Sequence, residues 1–258
     1  MKNTLITLLL LLGCMSRVSA QNVRFATTGM IDFEKKINMY AIIKKTINKD
    51  NEGYMQAAFD QYKKNQPQFK ILKSTLAFSN DQTLFSPLED TQKDANGFWG
   101  SDPNVVQNNI IFSNLSSQTF INQKKVYEET FLVKDSLRKI NWKLTSETRE
   151  IAGYECRRAN AIIMDSIYVV AFYTDKIPVS GGPESFNGLP GMILGVALPH
   201  ENSSWFATSV KDRPVTAAEL KAPVKGKSMN AKGLNDTLNG VMKRWGNYAQ
   251  TVLKALTL

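Results

Sequence analysis

Ile177-Pro178-Val179-Ser180-Gly181-Gly182-Pro183-Glu184-Ser185-Phe186-Asn187-Gly188-Leu189-Pro190-Gly191-Met192-Ile193-Leu194 carries three Pro and four Gly in eighteen residues. An unbroken helix or strand is excluded there, so the chain crosses between two strands through constrained turns. Gly188 and Gly191 suit positive φ, Pro190 pushes Leu189 toward an extended backbone, and bulky Leu189, Met192 and Leu194 anchor the turns in a core. Working outward, Asn141–Ser146, Tyr154–Met164, Ser166–Thr174, Met192–Leu198 and Trp205–Val210 read as strands. Alternation in Tyr154–Met164 places Ala159, Ala161 and Ile163 on one face, with Cys156, Ile162 and Met164 on the other. Parallel pairing needs a crossover of about a dozen residues, and no helical pattern fills these gaps, so the strands form an antiparallel meander.

Upstream, Ile71–Phe78, Thr83–Phe85, Ile110–Phe112, Thr119–Ile121 and Val126–Val133 have the same texture, and Val23–Lys45 is also read as β. Residues 86–103 form a long loop bearing Phe98 and Trp99. Two stretches change to helical period: residues 50–64, closed by Pro67, and one C-terminal helix near residues 234–256, with Leu238, Val241, Met242, Trp245, Val252 and Leu256 on one stripe. The expected fold is mainly β (α+β): a large curved antiparallel sheet, a half-barrel or bowl, one of whose faces the C-terminal helix covers.

Met1-Lys2-Asn3, an apolar run over Leu5–Leu12 and Val18-Ser19-Ala20 read as a signal peptide over residues 1–20, leaving one domain over residues 21–258. A lipoprotein-type reading, with acylation at Cys14 after Leu11-Leu12-Gly13, competes with it. The apolar run is too short to span a bilayer, and no later segment approaches the required length. The full chain of 258 residues carries a net charge of +9. Cleavage removes Lys2 and Arg17 and no acid, leaving +7 and a single thiol, Cys156, so no internal disulfide forms. The positive charge is scattered in pairs such as Lys124-Lys125 and Arg157-Arg158, read as solvated surface, which argues against nucleic acid and leaves room for peripheral membrane contact.

Together with Trp142-Lys143-Leu144, Ile151–Ala159 and Ala171-Phe172-Tyr173-Thr174, the Gly-Leu-Pro-Gly-Met-Ile segment resembles the GLPGLI family of exported Gram-negative bacterial proteins. Its motif falls on Gly182, Pro183, Phe186, Gly188, Leu189, Pro190, Gly191, Met192 and Ile193, with Met192 a volume-conserving departure from Leu. The resemblance implies export to the periplasm or cell surface and a function not defined by the family. It also implies a fold similar to the N-terminal bowl-like domain of a bacterial peptide N-glycosidase, and in outline to half-barrel lipoprotein carriers. It brings no catalytic residues.

The residues themselves nominate no catalytic, cofactor or metal site. One His excludes a multi-histidine metal centre, and Asp90 and Asp94 fit no calcium loop. His200 beside Ser203 and Ser204 lacks a nucleophile elbow. Glu128 and Glu129 point to opposite faces if they share a strand. Asn114, Asn202 and Asn235 are read as turn and cap residues. Trp99, Tyr168 and Trp205 are the candidate ligand-lining aromatics, against the alternative that they are core. The function expected is a non-enzymatic cell-envelope binding or accessory module holding an apolar or glycan ligand, or docking an envelope partner. An enzyme acting on glycans or peptides through carboxylates and Tyr, and a structural envelope protein, remain as alternatives.

Overall fold

The computed structural model describes residues 25–89, 99–100 and 102–258. The signal segment, Cys14, Asp90, Asp94 and Phe98 lie outside the described residues. Twelve strands form one open sheet: β1 Thr28–Asn38, β2 Phe69–Ser79, β3 Gln82–Pro87, β4 Asn109–Asn114, β5 Thr119–Val126, β6 Glu129–Ser136, β7 Lys143–Ile151, β8 Tyr154–Ile163, β9 Ile167–Thr174, β10 Met192–Leu198, β11 Ser203–Lys211 and β12 Lys227–Met229. Their order is β12-β6-β5-β4-β3-β2-β1-β11-β10-β9-β8-β7. Every neighbouring pair is antiparallel except β12 with β6. Short turns dictate this pairing: Ser79 faces Gln82, Val126 faces Glu129 and Ile151 faces Tyr154 across two-residue loops. Those loops place Asn80, Tyr127, Ala152 and Gly153 at positive φ, as tight hairpins require.

Four helices are present among the described residues: α1 Met39–Thr46, α2 Glu52–Asn65, α3 Ala231–Met242 and α4 Asn247–Thr257. The antiparallel bowl and the helix near residues 50–64 are as the sequence predicts, and several details differ. Residues 39–46 are helical rather than β, because the Asn38 side chain caps the Ala41 N–H and three-to-four spacing buries Met39, Ile42 and Ile43. The C-terminal helix is two helices, broken at Gly246, whose φ is +59°. Tyr127-Glu128 turns β5 into β6, so Glu128 leaves the strand, while Glu129 pairs across strands with Lys227 at 2.6 Å. The alternation predicted for β8 is kept: Ala159, Ala161 and Ile163 are buried on one face and Ile162, on the other, is 66% exposed, while Cys156 is fully buried as well. Asn114 turns the chain by accepting from the Ser116 and Ser117 amides, and Asn202 sits at φ +53°. The cap of α3 is Asn230, and Asn235 lies within that helix.

Directly opposed residues of an antiparallel pair point to one face. Val196, Trp205, Lys35 and Leu72 are opposed in succession, as are Leu76, Phe85, Ile111, Asn122 and Val133, and both rows belong to the inner, concave face. Three apolar clusters line it. The largest joins β8–β11 to Ile177, Val179, Phe186 and Leu189. A second packs α3 and α4 on Val126, Phe131 and Val133. In the third, α1 and α2 close on Ile37, Leu72 and Val105.

The crossover between β9 and β10 folds back into the bowl. Met192 N–H donates to Ile177 O and Ile193 N–H donates to Gly181 O. Gly188 and Gly191 take φ +90° and +146°, and Leu189, Met192 and Leu194 are buried. A Cβ on Gly191 would overlap the Thr174 carbonyl, lying 2.8 Å from its carbon, whereas one on Gly153, at φ +81°, would meet nothing within 4 Å. Gly153→Ala is expected to cost about 1 kcal/mol of left-handed strain. Gly191→Ala adds a backbone clash and is expected to cost about 3 kcal/mol or more, read as the difference in urea midpoint between the two variants. Equal losses would show that the crossover yields without disturbing the sheet.

Candidate functional site

Period-two alternation sets a polar patch into the apolar inner wall. In β1, Ile31, Phe33, Lys35 and Ile37 share a face, and in β5 Phe120, Asn122, Lys124 and Val126 do the same. Lys35 is 6% exposed, Lys124 5% and, on β2, Lys70 5%. The folded-back crossover brings Glu184 over them, 6% exposed and held at φ +51°. Asn109 Nδ2 donates to Glu184 Oε2 at 2.8 Å, fastening the crossover to β4. From β4 to β10 is five strand steps, roughly 24 Å along the sheet.

Lys35 Nζ donates to Val106 O at 2.9 Å and lies 4.8 Å from the centroid of the Trp205 ring. Lys124 Nζ makes no hydrogen bond to a described residue and faces Glu184 electrostatically. Burial pushes the Lys35 ammonium down to about 8; Glu184 opposes that shift and Lys70 adds to it. Burial likewise brings Lys124 to about 8, with Glu184 opposing and Lys35 and Arg138 adding. Among the described residues Glu184 is the sole buried acid, so the patch carries more buried positive than negative charge.

Lys35, Lys124, Glu184 and Trp205 line a cavity of about 60 Å³. It adjoins a cavity of about 450 Å³ through Lys124, Leu256 and Leu258, which line both. The Trp205 indole N–H, Asn122 Oδ1 and Arg138 Nη1 are buried without a hydrogen-bond partner among the described residues. Each such group costs about 1–3 kcal/mol when left unmet. Arg138 Nη2 donates to Thr257 O at 2.8 Å and Ser185 Oγ donates to Leu258 O at 2.9 Å, so the end of α4 forms one wall.

Of the aromatics singled out by sequence, Trp205 alone lines this space. Tyr168 alternates with Ile167, which lines the small cavity, and so lies on the opposite, convex face, where its ring meets His200 at 6.5 Å. Trp99 packs edge-on against Tyr62 of α2 at 5.5 Å and belongs to the helical cluster, as the core alternative has it. His200 occupies the exposed short helix Pro199–Glu201, and its carbonyl accepts from Lys45. The motif residues position the site rather than forming it: Trp142 Nε1 donates to Asn187 O at 2.9 Å, and the Gly188 N–H donates to Ser180 Oγ at 3.2 Å. Cys156 is buried and its thiol is pushed up to about 12 by burial, with Glu155 adding, the state of an inert thiol. Sequence reading missed Lys35, Lys124 and Glu184. The phase of Ile31-x-Phe33-x-Lys35-x-Ile37 and Phe120-x-Asn122-x-Lys124-x-Val126 was the available signal for the lysines.

A family described as "Protein of unknown function (Porph_ging)" matches residues 162–195, the hairpin and crossover that carry Glu184. No curated protein matches the chain. Among solved structures, PNGF-II, a peptide N-glycosidase, is similar in two crystal forms. In the C2 form the TM-score is 0.51 at 17% identity, covering 81% of this chain and 32% of PNGF-II. In the P21 form it is 0.50 at 19% identity, covering 82% and 33%. This chain therefore spans about a third of PNGF-II's length, and the likeness is one of fold.

Two buried lysines with lowered pKa values have a testable thermodynamic signature. Between about pH 8 and the ordinary lysine value of 10.5 the unfolded chain holds more protons on Lys35 and Lys124 than the native one, so their contribution to stability rises with pH. Lys124→Met keeps the stem and removes the buried charge, and is expected to stabilise the fold at pH 7 by about 1 kcal/mol. That advantage shrinks by pH 9.5, as urea denaturation at both values would show. Destabilisation at pH 7 would mean that Lys124 acts as a structural partner of Glu184.

Proposed function

We propose that this chain is an exported, non-enzymatic binding module of the cell envelope, a GLPGLI-like protein whose bowl takes a hydroxyl-rich glycan rather than an apolar ligand. The observation that carries the reading is the inner wall's set of buried, unpartnered polar atoms, the Trp205 N–H, Asn122 Oδ1 and Arg138 Nη1, facing cavities flanked by apolar side chains. A sugar offers both donors and acceptors to such groups, while an acyl chain would leave them unmet. The larger space, about 450 Å³, is within the range of small-ligand sites. The fold shared with part of a peptide N-glycosidase supports a glycan-related role. Of the two carboxylates lining the small cavity, Glu184 is engaged by Asn109 and faces two lysines, the arrangement of a charge held for recognition.

Calorimetric titration of the processed chain with N-glycan oligosaccharides is expected to show saturable binding. Trp205→Phe, which removes the indole N–H and keeps an aromatic ring, is expected to weaken it about tenfold. Retention of fatty acids or phospholipid on gentle purification from the envelope, with no response to oligosaccharides, would replace this reading with the apolar carrier.

A further inference from the structure

The small cavity is lined by two buried lysines and the large one by one, and that pair names the group it recognises. Lys35 and Lys124 are nine-tenths or more buried, and both face Glu184, the one buried carboxylate among the described residues. Lys35 and Lys124 line the small cavity with the Trp205 indole, whose N–H has no partner among the described residues. Buried ammonium groups in mutual repulsion are costly, and a ligand that neutralises them recovers that cost. At about 60 Å³ the space suits a small polar group, and Lys124, Leu256 and Leu258 line both it and the larger cavity.

We propose that the small cavity is an oxyanion subsite: the Lys35 and Lys124 ammonium groups and the Trp205 N–H hold a carboxylate or phosphate group of a ligand whose body lies in the larger cavity beneath α4. The inference rests on the glycan reading and narrows it to acidic sugars. Ammonium groups supply charge and rotating donors, and the indole contributes one fixed donor that accepts nothing in return. Glu184 balances part of the positive charge from the crossover and Asn109 keeps its carboxylate in place. The other charged groups around the lysines are Lys70 on β2, Lys125 on β5, Asp135 on β6, Arg138 and Lys139 after it, Lys254 on α4 and Glu201 before β11.

The test uses the processed full-length chain at constant ionic strength, with glucose, glucuronate, glucose 6-phosphate and inorganic phosphate as probes in calorimetric titrations. Glucuronate or glucose 6-phosphate is expected to bind at least tenfold more tightly than glucose, and the preferred one of the two distinguishes carboxylate from phosphate. Lys124→Met is expected to abolish that preference, whereas Lys232→Met, which removes an exposed ion pair on α3, leaves it intact. Should Lys124→Met fail to fold, Trp205→Phe provides the second variant, with an expected weakening of several-fold. The preference is also expected to fade as pH rises from 7 to 9, as Lys35 and Lys124 lose their protons near 8. Equal binding of glucose and its acidic derivatives would overturn the oxyanion subsite and leave the glycan reading standing. Binding of inorganic phosphate with no response to any sugar or oligosaccharide would keep the subsite and overturn the glycan reading.

Discussion

The approach of Gly191 to the Thr174 carbonyl, too close for any side chain to intervene, is the constraint on which the concave surface depends. It ends the crossover where β10 can begin beside β9, and forces residues 177–190 to travel across the inner face instead of looping into solvent. Close contacts at Gly181 and Gly182 continue the effect: a Cβ on the first would lie 2.8 Å from Thr83 Cγ2, and one on the second 2.8 Å from Ile193 Cβ. The segment can therefore lie flat against strands on the far side of the bowl. Its consequence is electrostatic as well as steric, because the flattened segment carries Glu184 to within hydrogen-bonding distance of Asn109 and to the two buried lysines.

An apolar wall would be the more stable choice at Lys35 and Lys124. Burying an ammonium costs several kcal/mol before any partner is counted, and one carboxylate shared between two lysines offsets it incompletely. Glu184 itself occupies a backbone region that non-glycine residues visit at some cost. Strain, buried charge and unpartnered donors thus coincide in one place, while the clusters on either side are ordinary hydrocarbon packing. Stability alone favours none of these features.

Most of the architecture was legible because its causes are local. Two-residue turns and period-two alternation fix antiparallel neighbours without reference to anything distant, and the Gly/Pro spacing of residues 177–194 announced a constrained crossover between adjacent strands. What escaped had causes lying elsewhere in the chain or resting on a single atom. Residues 39–46 became helical because Asn38 caps them and α2 covers them, and β-like composition could not reveal either. The C-terminal stripe ran through Gly246 with its period nearly intact, concealing a break that the left-handed φ of that residue makes. The site was hidden for a related reason: a lysine is expected in solvent, so Lys124-Lys125 read as surface although the phase of its strand pointed Lys124 inward. Glu184 stood within the quoted motif, yet its value arises only when the crossover meets β4.

The position of α4 shapes both cavities of the inner face. Its last turn lies between the small charged cavity and the larger one, with Leu256 and Leu258 contributing to both, and it is tied to the wall through Arg138 and Ser185. Both ties are made to backbone carbonyls at the helix end, so they depend on where the helix stops rather than on its side-chain sequence. The glycine break before α4 lets that helix take its own direction independently of α3, whose Leu234, Leu238 and Met242 are committed to the sheet. A single continuous helix would follow α3 along the wall; the break instead brings apolar residues beside Lys124 and lowers the local polarity. That lowering depresses the lysine's affinity for its proton and at the same time strengthens its attraction for any anion that reaches it.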